Sequence, residues 1–431
     1  MSSSREEKQQ EFADMFFTRT TMVLGLSVVS MLAGCAGQGN HTSKGSLKSQ
    51  ERLAQVKSGV EYQTAERQFM AGDLEKALRT IERSISINPA VSKSHTLRGR
   101  VYLEMASYDE ARECLMMALE LDPASVQAHY FLGIIDERTS RFAEALERYT
   151  RAMQLEPGDA QYVVAASEMY VQLGQGEKAE ALLRESMGRF PTTAALRHTL
   201  GQLSAMRGDD AAALEWFNQA RLLAPEDQVI LEDLTRTLVA LHQYGQAETN
   251  LNEMLREKAN AGRVDLQMLH IRCLAALDRL GEARTALGLL LDTPEHKSDV
   301  QGWIMMGNLA ARMNDTGRLR TAVARVLALA PDRPEGYALK SMLMRQLKRP
   351  ADALLAINTA ISIHGQDPDL WVMRGLIQGE MGQQAEARAS LLNAQRIDPG
   401  NRNAQTLIAM DSAGAAPWVR ATAGASAQQT P

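Results

Sequence analysis

Aromatic residues are scarce in this sequence, at 5% of 431 positions. Alanine, leucine and methionine are plentiful instead. Straight-chain side chains lose little rotamer freedom in a helix, so the composition favours helices. A basic stripe is also missing. The 47 lysines and arginines are spread among 52 acidic residues for a net charge of -5, which leaves no footprint for nucleic acid. Catalytic motifs are absent: there is no Gly-x-Ser-x-Gly, no phosphate loop closing on Gly-Lys-Ser/Thr and no His-Glu-x-x-His, and the eight histidines lack metal-ligand spacing. No cofactor, no metal and no enzymatic chemistry is expected from such a chain. Only three cysteines occur, Cys35, Cys114 and Cys273. The last two fall in repeat units far apart in the array described next. A disulfide needs Cα atoms within about 7 Å, so both are expected to be small buried thiols.

What the sequence has is repetition. Ala77, Ala111, Ala145, Ala179, Ala213 and Ala247 follow one another at intervals of 34, and Pro89, Pro123, Pro157, Pro191 and Pro225 keep the same period. Two coincident periods of this length mark a stacked array of small units. Each unit reads as two amphipathic helices and a short turn. In the third, helix A is predicted over 126–139 and helix B over 143–155. The Gly or Asp before helix B supplies turn and cap, as in Gly72-Asp73 and Gly208-Asp209. The proline stops helix B because it cannot continue the hydrogen-bond ladder.

These residues resemble the tetratricopeptide repeat (TPR), whose pattern has a large residue at position 4, Leu-Gly at 7 and 8, Ala at 20, a large apolar residue at 24, Ala at 27 and Pro at 32. The third unit matches with Leu132, Gly133, Ala145, Tyr149, Ala152 and Pro157, the fifth with Leu200, Gly201, Ala213, Phe217, Ala220 and Pro225, and the last with Trp371, Gly375, Ala387, Leu391, Ala394 and Pro399. The resemblance implies an all-α fold, a right-handed α-solenoid of about ten helix-turn-helix units over 58–400. A capping helix is expected at 401–412 and a disordered tail at 413–431. His95 and His129 fall at position 4 and are expected to pack. Departures sit in the middle: Ala283 and Leu319 follow at intervals of 36, and the sixth unit lacks its proline. Either a joint near 256–264 or a lengthened helix B would fit.

The N-terminus carries a different signal. The run Thr21–Gly34 is uncharged and mostly apolar, too short for the about 20 residues of a bilayer span and suited to a secretory signal. It closes on Leu32-Ala33-Gly34-Cys35, which resembles the lipobox of bacterial lipoproteins. That resemblance implies a signal peptide over 1–34, lipid attachment at Cys35 and a stable membrane anchor. Residues 1–14 are acidic, and Met15 followed by Arg19 makes a better signal start. Ala36, where a retained lipoprotein of the enterobacterial type carries Asp, implies the outer membrane, with the body on its periplasmic face. From 35 to 57 the chain is expected to be a flexible tether.

In a TPR superhelix, helix A lines the concave groove through positions 2, 5, 9 and 12, which share one helix face. Here the candidates are Arg100, Tyr130, Gln161, His198, Gln202, Arg236, Arg272, Asn308 and Arg345, among neighbours that include Lys93, Thr96, Leu103, Ile134, Glu137, Val164, Glu168, Glu232, Asp265, Met268, Ile304, Met342 and Leu376. A mixed-sign groove with Tyr, Met and Ile suits a protein partner or peptide segment. The Lys/Asn carboxylate clamp of chaperone-binding TPR proteins is absent, since Thr96, Arg100, Tyr130 and Ile134 stand at its positions. The architecture resembles outer-membrane TPR lipoproteins of type IV and tight-adherence pili. This implies a non-enzymatic scaffold assisting a pilus or secretion apparatus, with a secretin or pilus component as partner. An adaptor for exopolysaccharide export or cell-wall hydrolases is the alternative.

Overall fold

The computed structural model describes residues 39–412, with side chains from residue 47. The signal run 1–34, Cys35 and the tail 413–431 lie outside the described residues. Twenty-one helices and no strand occur among the described residues. The chain divides into two compact units at Ala128/His129. The first pairs α1 (Gly39–Met70) with α2 (Leu74–Ile87) and α3 (Ser92–Glu104) with α4 (Tyr108–Leu121).

The second continues from α5 (Val126–Arg138), which carries the boundary, with α6 (Phe142–Leu155). It runs on through α7 (Ala160–Gln172) with α8 (Gly176–Ser186), α9 (Ala194–Met206) with α10 (Asp210–Leu223), α11 (Gln228–Ala240) with α12 (Tyr244–Arg256) and α13 (Val264–Ala276) with α14 (Leu280–Leu291). Three more hairpins follow: α15 (Val300–Arg312) with α16 (Thr316–Leu329), α17 (Pro334–Gln346) with α18 (Pro350–Ile363), and α19 (Pro368–Glu380) with α20 (Gln384–Ile397). The terminal α21 (Arg402–Ser412) buries Ala404 against Leu391 and Ala394, and the Asn401 side chain accepts from the Ala404 N–H at 2.8 Å. That makes ten hairpins and a closing helix, an α-solenoid.

Close helix crossings hold each hairpin. Every residue at the periodic alanine position, from Ala77 to Ala387 and including Leu319, is completely buried. Opposite it, the position-8 glycine lies under the large side chain of position 24. A Cβ on Gly133 would stand 2.5 Å from Tyr149 Cε1, one on Gly201 2.5 Å from Phe217 Cε1, and one on Gly99 2.7 Å from Leu115 Cγ. No side chain fits there, so the backbones meet. In the eighth hairpin the pattern is rearranged. Leu319 fills the alanine site, and the space over Gly307 is taken by Leu339 of the next helix, 2.6 Å from a would-be Cβ.

The turn between helices A and B is the same in all ten hairpins. One residue has positive φ: Gly72, Ala106, Ser140, Gly174, Gly208, His242, Asp278, Asn314, Lys348 and Gly382. The following N–H then donates to a carbonyl five residues back, as Asp73 does to Gln68 and Arg349 to Met344, both at 2.9 Å. This is the Schellman end of a helix. Six of the ten positions are not glycine, which is why composition shows only the four glycine turns.

Two expectations need correction. The tether expected over 35–57 is helical from Gly39, because α1 extends in one piece from the packed segment that starts at Ser58, its first buried residue. Propagating a nucleated helix adds a hydrogen bond per residue, and that part of the chain has no proline. Near 256–264 neither a break in packing nor a longer helix B is present. Helix α12 ends at Arg256, turns occupy 257–263, and one core runs from Ala213 and Phe217 through Leu251 and Met254 to Leu266 and Cys273. The extra residues are absorbed in the loop. Cys114 and Cys273 are buried free thiols, and burial pushes Cys273 up to about 11.

Candidate functional site

The groove positions of three successive A helices in the second unit come together around one cleft of about 630 Å3, within the size range of ligand sites. Helix α5 gives Tyr130, Ile134 and Glu137, α7 gives Gln161, Val164 and Glu168, and α9 gives Ala195. These are the expected positions 5, 9 and 12 of one unit, 2, 5 and 9 of the next, and 2 of the third. Helical spacing puts them on one face, and the close hairpin crossings set neighbouring A helices side by side. Sequence reasoning missed Tyr149, Asp159 and Phe190, which also line the cleft. Tyr149 was legible only as the packing residue of position 24. Asp159 and Phe190 enter from the loops before α7 and α9.

The cleft is aromatic and acidic. The Tyr130 ring lies 5.7 Å from that of Tyr149 and 5.5 Å from that of Tyr162. The Tyr149 hydroxyl donates to Glu137 Oε2 at 2.7 Å, and the Gln161 side-chain amide donates to the Tyr130 hydroxyl. Asp159 caps α7, accepting from the Gln161 N–H at 2.8 Å. Burial, and then the bond to Glu137, push the Tyr149 phenol far up, so it stays a donor. Glu168 is open to the cleft, yet its carboxyl is raised, first by the surrounding walls and then by the charge of Glu137, with His198 partly opposing. Among the described residues, no lysine or arginine lines the cleft.

Only Tyr130 and Gln161 of the nine candidate residues reach this cleft. Others form a polar ladder between successive A helices. His198 Nε2 and Gln202 Nε2 meet Asp233 Oδ2 at 2.8 and 3.0 Å. Arg236 holds Glu232 at 2.7 Å and Asp265 at 3.2 Å, and Arg263 holds Glu232 at 2.6 Å. Arg345 pairs with Glu380. Arg272 and Asn308 are exposed on α13 and α15. Arg100, in the first unit, stacks its guanidinium 4.8 Å from the centre of the Phe69 ring. Thr96, Leu103 and Ile304, expected on the groove wall, are instead buried. Ile304 packs with Leu319, Val323 and Leu339, since an apolar chain beside the crossing gains more from the core than from water.

His95 is buried as expected, its Nε2 2.8 Å from the Pro89 carbonyl, and so is His129. A second cavity of about 360 Å3, bounded by Leu255, His270, Leu289 and Thr293, lies away from the groove positions. Among the described residues, no group of three or more His, Cys, Asp or Glu is placed to hold a metal ion, and no helix is long and apolar enough to cross a membrane.

Comparison with known proteins agrees with this geometry. Tetratricopeptide repeat families match residues 96–160, 139–203 and 368–401, so the chain carries TPR repeats. It is similar to human tetratricopeptide repeat protein 7B, at 30% identity over 105 residues, 24% of this chain and 12% of that protein. The chain thus spans about an eighth of the curated relative it matches. Among solved structures, it is similar to pilF of Pseudomonas aeruginosa (15% identity, TM-score 0.44, 50% of this chain and 96% of that one). It is also similar to PilW, a type IV pilus biogenesis factor (20% identity, TM-score 0.42, 46% of this chain and 92% of that one).

Proposed function

We propose that this protein is a non-enzymatic scaffold that holds a segment of a partner polypeptide in the groove formed by its A helices. The observation that carries this is the coincidence of the cleft with seven expected groove positions on α5, α7 and α9. The groove is open and lined by aliphatic and aromatic side chains with a few polar groups, the make-up of a peptide site. The lipobox-like run at 32–35 supports anchoring by Cys35 to the outer membrane, with the array on the periplasmic side. Lipobox and TPR array together support service to the assembly of a pilus or secretion apparatus, a secretin or pilus component being the partner.

The groove reading is tested by placing a photo-reactive phenylalanine analogue at Gln161 in the cleft or at Glu147, exposed on helix B of the preceding hairpin. Illumination in the native cell is expected to attach a distinct polypeptide at Gln161 and not at Glu147. Equal labelling at both, or none at Gln161, would refute it.

A further inference from the structure

The cleft is electrically one-sided. Its walls carry Glu137, Asp159 and Glu168, and among the described residues no ion pair reaches any of the three. Further along the same face, acidic groups are matched by arginine: Glu232 by Arg236 and Arg263, Glu380 by Arg345. At the cleft this ladder stops. Glu137 accepts from a neutral phenol and Asp159 from a backbone N–H, neither of which cancels charge. Burial is the first cause of the raised Glu168 carboxyl, and the uncancelled charge of Glu137 adds to it.

An organic cation fits what is there. The three carboxylates are not placed to share a metal ion. The half-buried Tyr130 ring beside them, backed by the Tyr149 ring at 5.7 Å, offers a face to a flat or alkyl-ammonium cation. The volume exceeds one side chain, and Ile134 and Val164 offer apolar wall next to the acids. We propose that the cleft selects partner segments presenting an arginine or lysine beside an apolar residue, arginine being favoured for its planar fork. This rests on the groove reading above.

The test is selection of a random 12-residue display library on the purified protein and on a Glu137→Gln, Glu168→Gln double variant. The wild type is expected to enrich peptides with Arg or Lys next to an apolar residue. A peptide so selected should bind the double variant about tenfold or more weakly, as loss of a charged hydrogen bond predicts, and should weaken with added salt. Enrichment without a basic preference, or affinity unchanged by the substitutions, would sink the charge proposal and leave the groove reading standing. Failure to enrich any peptide on the wild type would sink both. Should the double variant lose its helical signal, Glu168→Gln alone carries the comparison.

Discussion

Adding one methyl group should have opposite effects at two helical glycines. Gly288 sits inside α14 with nothing within 4 Å of a would-be Cβ. Gly288→Ala should therefore stabilise by the full difference in helix preference, about 1 kcal/mol. Gly133 sits inside α5, where the new Cβ would stand 2.5 and 2.7 Å from two atoms of the Tyr149 ring. That ring is 1% exposed and its hydroxyl is tied to Glu137 at 2.7 Å, so it cannot tilt freely. Overpacking a tight core costs about 1–3 kcal/mol, which outweighs the same helix-preference gain of about 1 kcal/mol. Gly133→Ala should be neutral to destabilising by about 2 kcal/mol, and the two variants should differ by about 1–3 kcal/mol. Urea unfolding followed by circular dichroism gives the difference in midpoint. Arrays of repeats can unfold in parts, so hydrogen exchange in the α5–α6 segment should localise the loss. If Gly133→Ala stabilises as much as Gly288→Ala, the hairpins are not held by backbone contact and the account of the repeat pattern fails.

The turn residues offer a cheaper test. Ala106 and Lys348 hold φ at 58° and 57°, so Ala106→Gly and Lys348→Gly should each raise the urea midpoint, by about 1 kcal/mol of relieved strain. Gly72→Ala, at φ 78°, should lower it by a similar amount, and no shift in any of them would discredit the left-handed turn. Glu232 is held below the usual carboxylate range first by Arg263, with burial opposing. Its contribution is present above that range and lost as pH falls through the lowered value, so Glu232→Gln should destabilise at pH 7 and cost progressively less as the pH is lowered below the usual carboxylate range. Glu168 is raised, so its charged form is the unfavourable one, and protonation relieves it as pH falls. Glu168→Gln should therefore leave the midpoint at pH 7 unchanged or higher, and a clear loss there would contradict the unfavourable setting that burial and then the Glu137 charge give its carboxylate. Cys35→Ser should move the full-length protein from the membrane pellet to the soluble fraction, and persistence with membranes would argue against a lipid anchor.

The fold was legible because the residues that carry it are forced. At a crossing where a Cβ has 2.5 Å of room, only glycine serves, and at the completely buried site opposite, alanine recurs at intervals of 34 residues from Ala77 to Ala247. The exception was legible in position but not in consequence. Leu319 announces an altered eighth hairpin, yet that Leu339 of the next helix would cover Gly307 depends on packing between units, which no local pattern encodes. The turns were half legible for a related reason. Glycine marks four of them and Asn314, Asp278 and His242 tolerate the left-handed region, while Ala106, Ser140 and Lys348 adopt positive φ against their own preferences.

The groove was legible as a face and illegible as a site, and the difference is electrostatic. Helical period places Tyr130, Gln161, His198, Arg236 and Arg345 on the A-helix side with equal force. Whether each is available depends on what the next repeat offers it. Asp233 engages His198 and Gln202, Asp265 engages Arg236, and Glu380 engages Arg345. Neighbouring helices thereby stitch most of this face to itself, and charge satisfied across a repeat boundary is not available to a partner without breaking that pair. Between α5 and α9 the stitching lapses, leaving Glu137 and Glu168 facing tyrosines and open space. In an array whose recurring residues serve the crossings, recognition belongs where one repeat fails to satisfy the next. The place to look for a partner is therefore set by a mismatch between adjacent units, which the repeat pattern by itself cannot display.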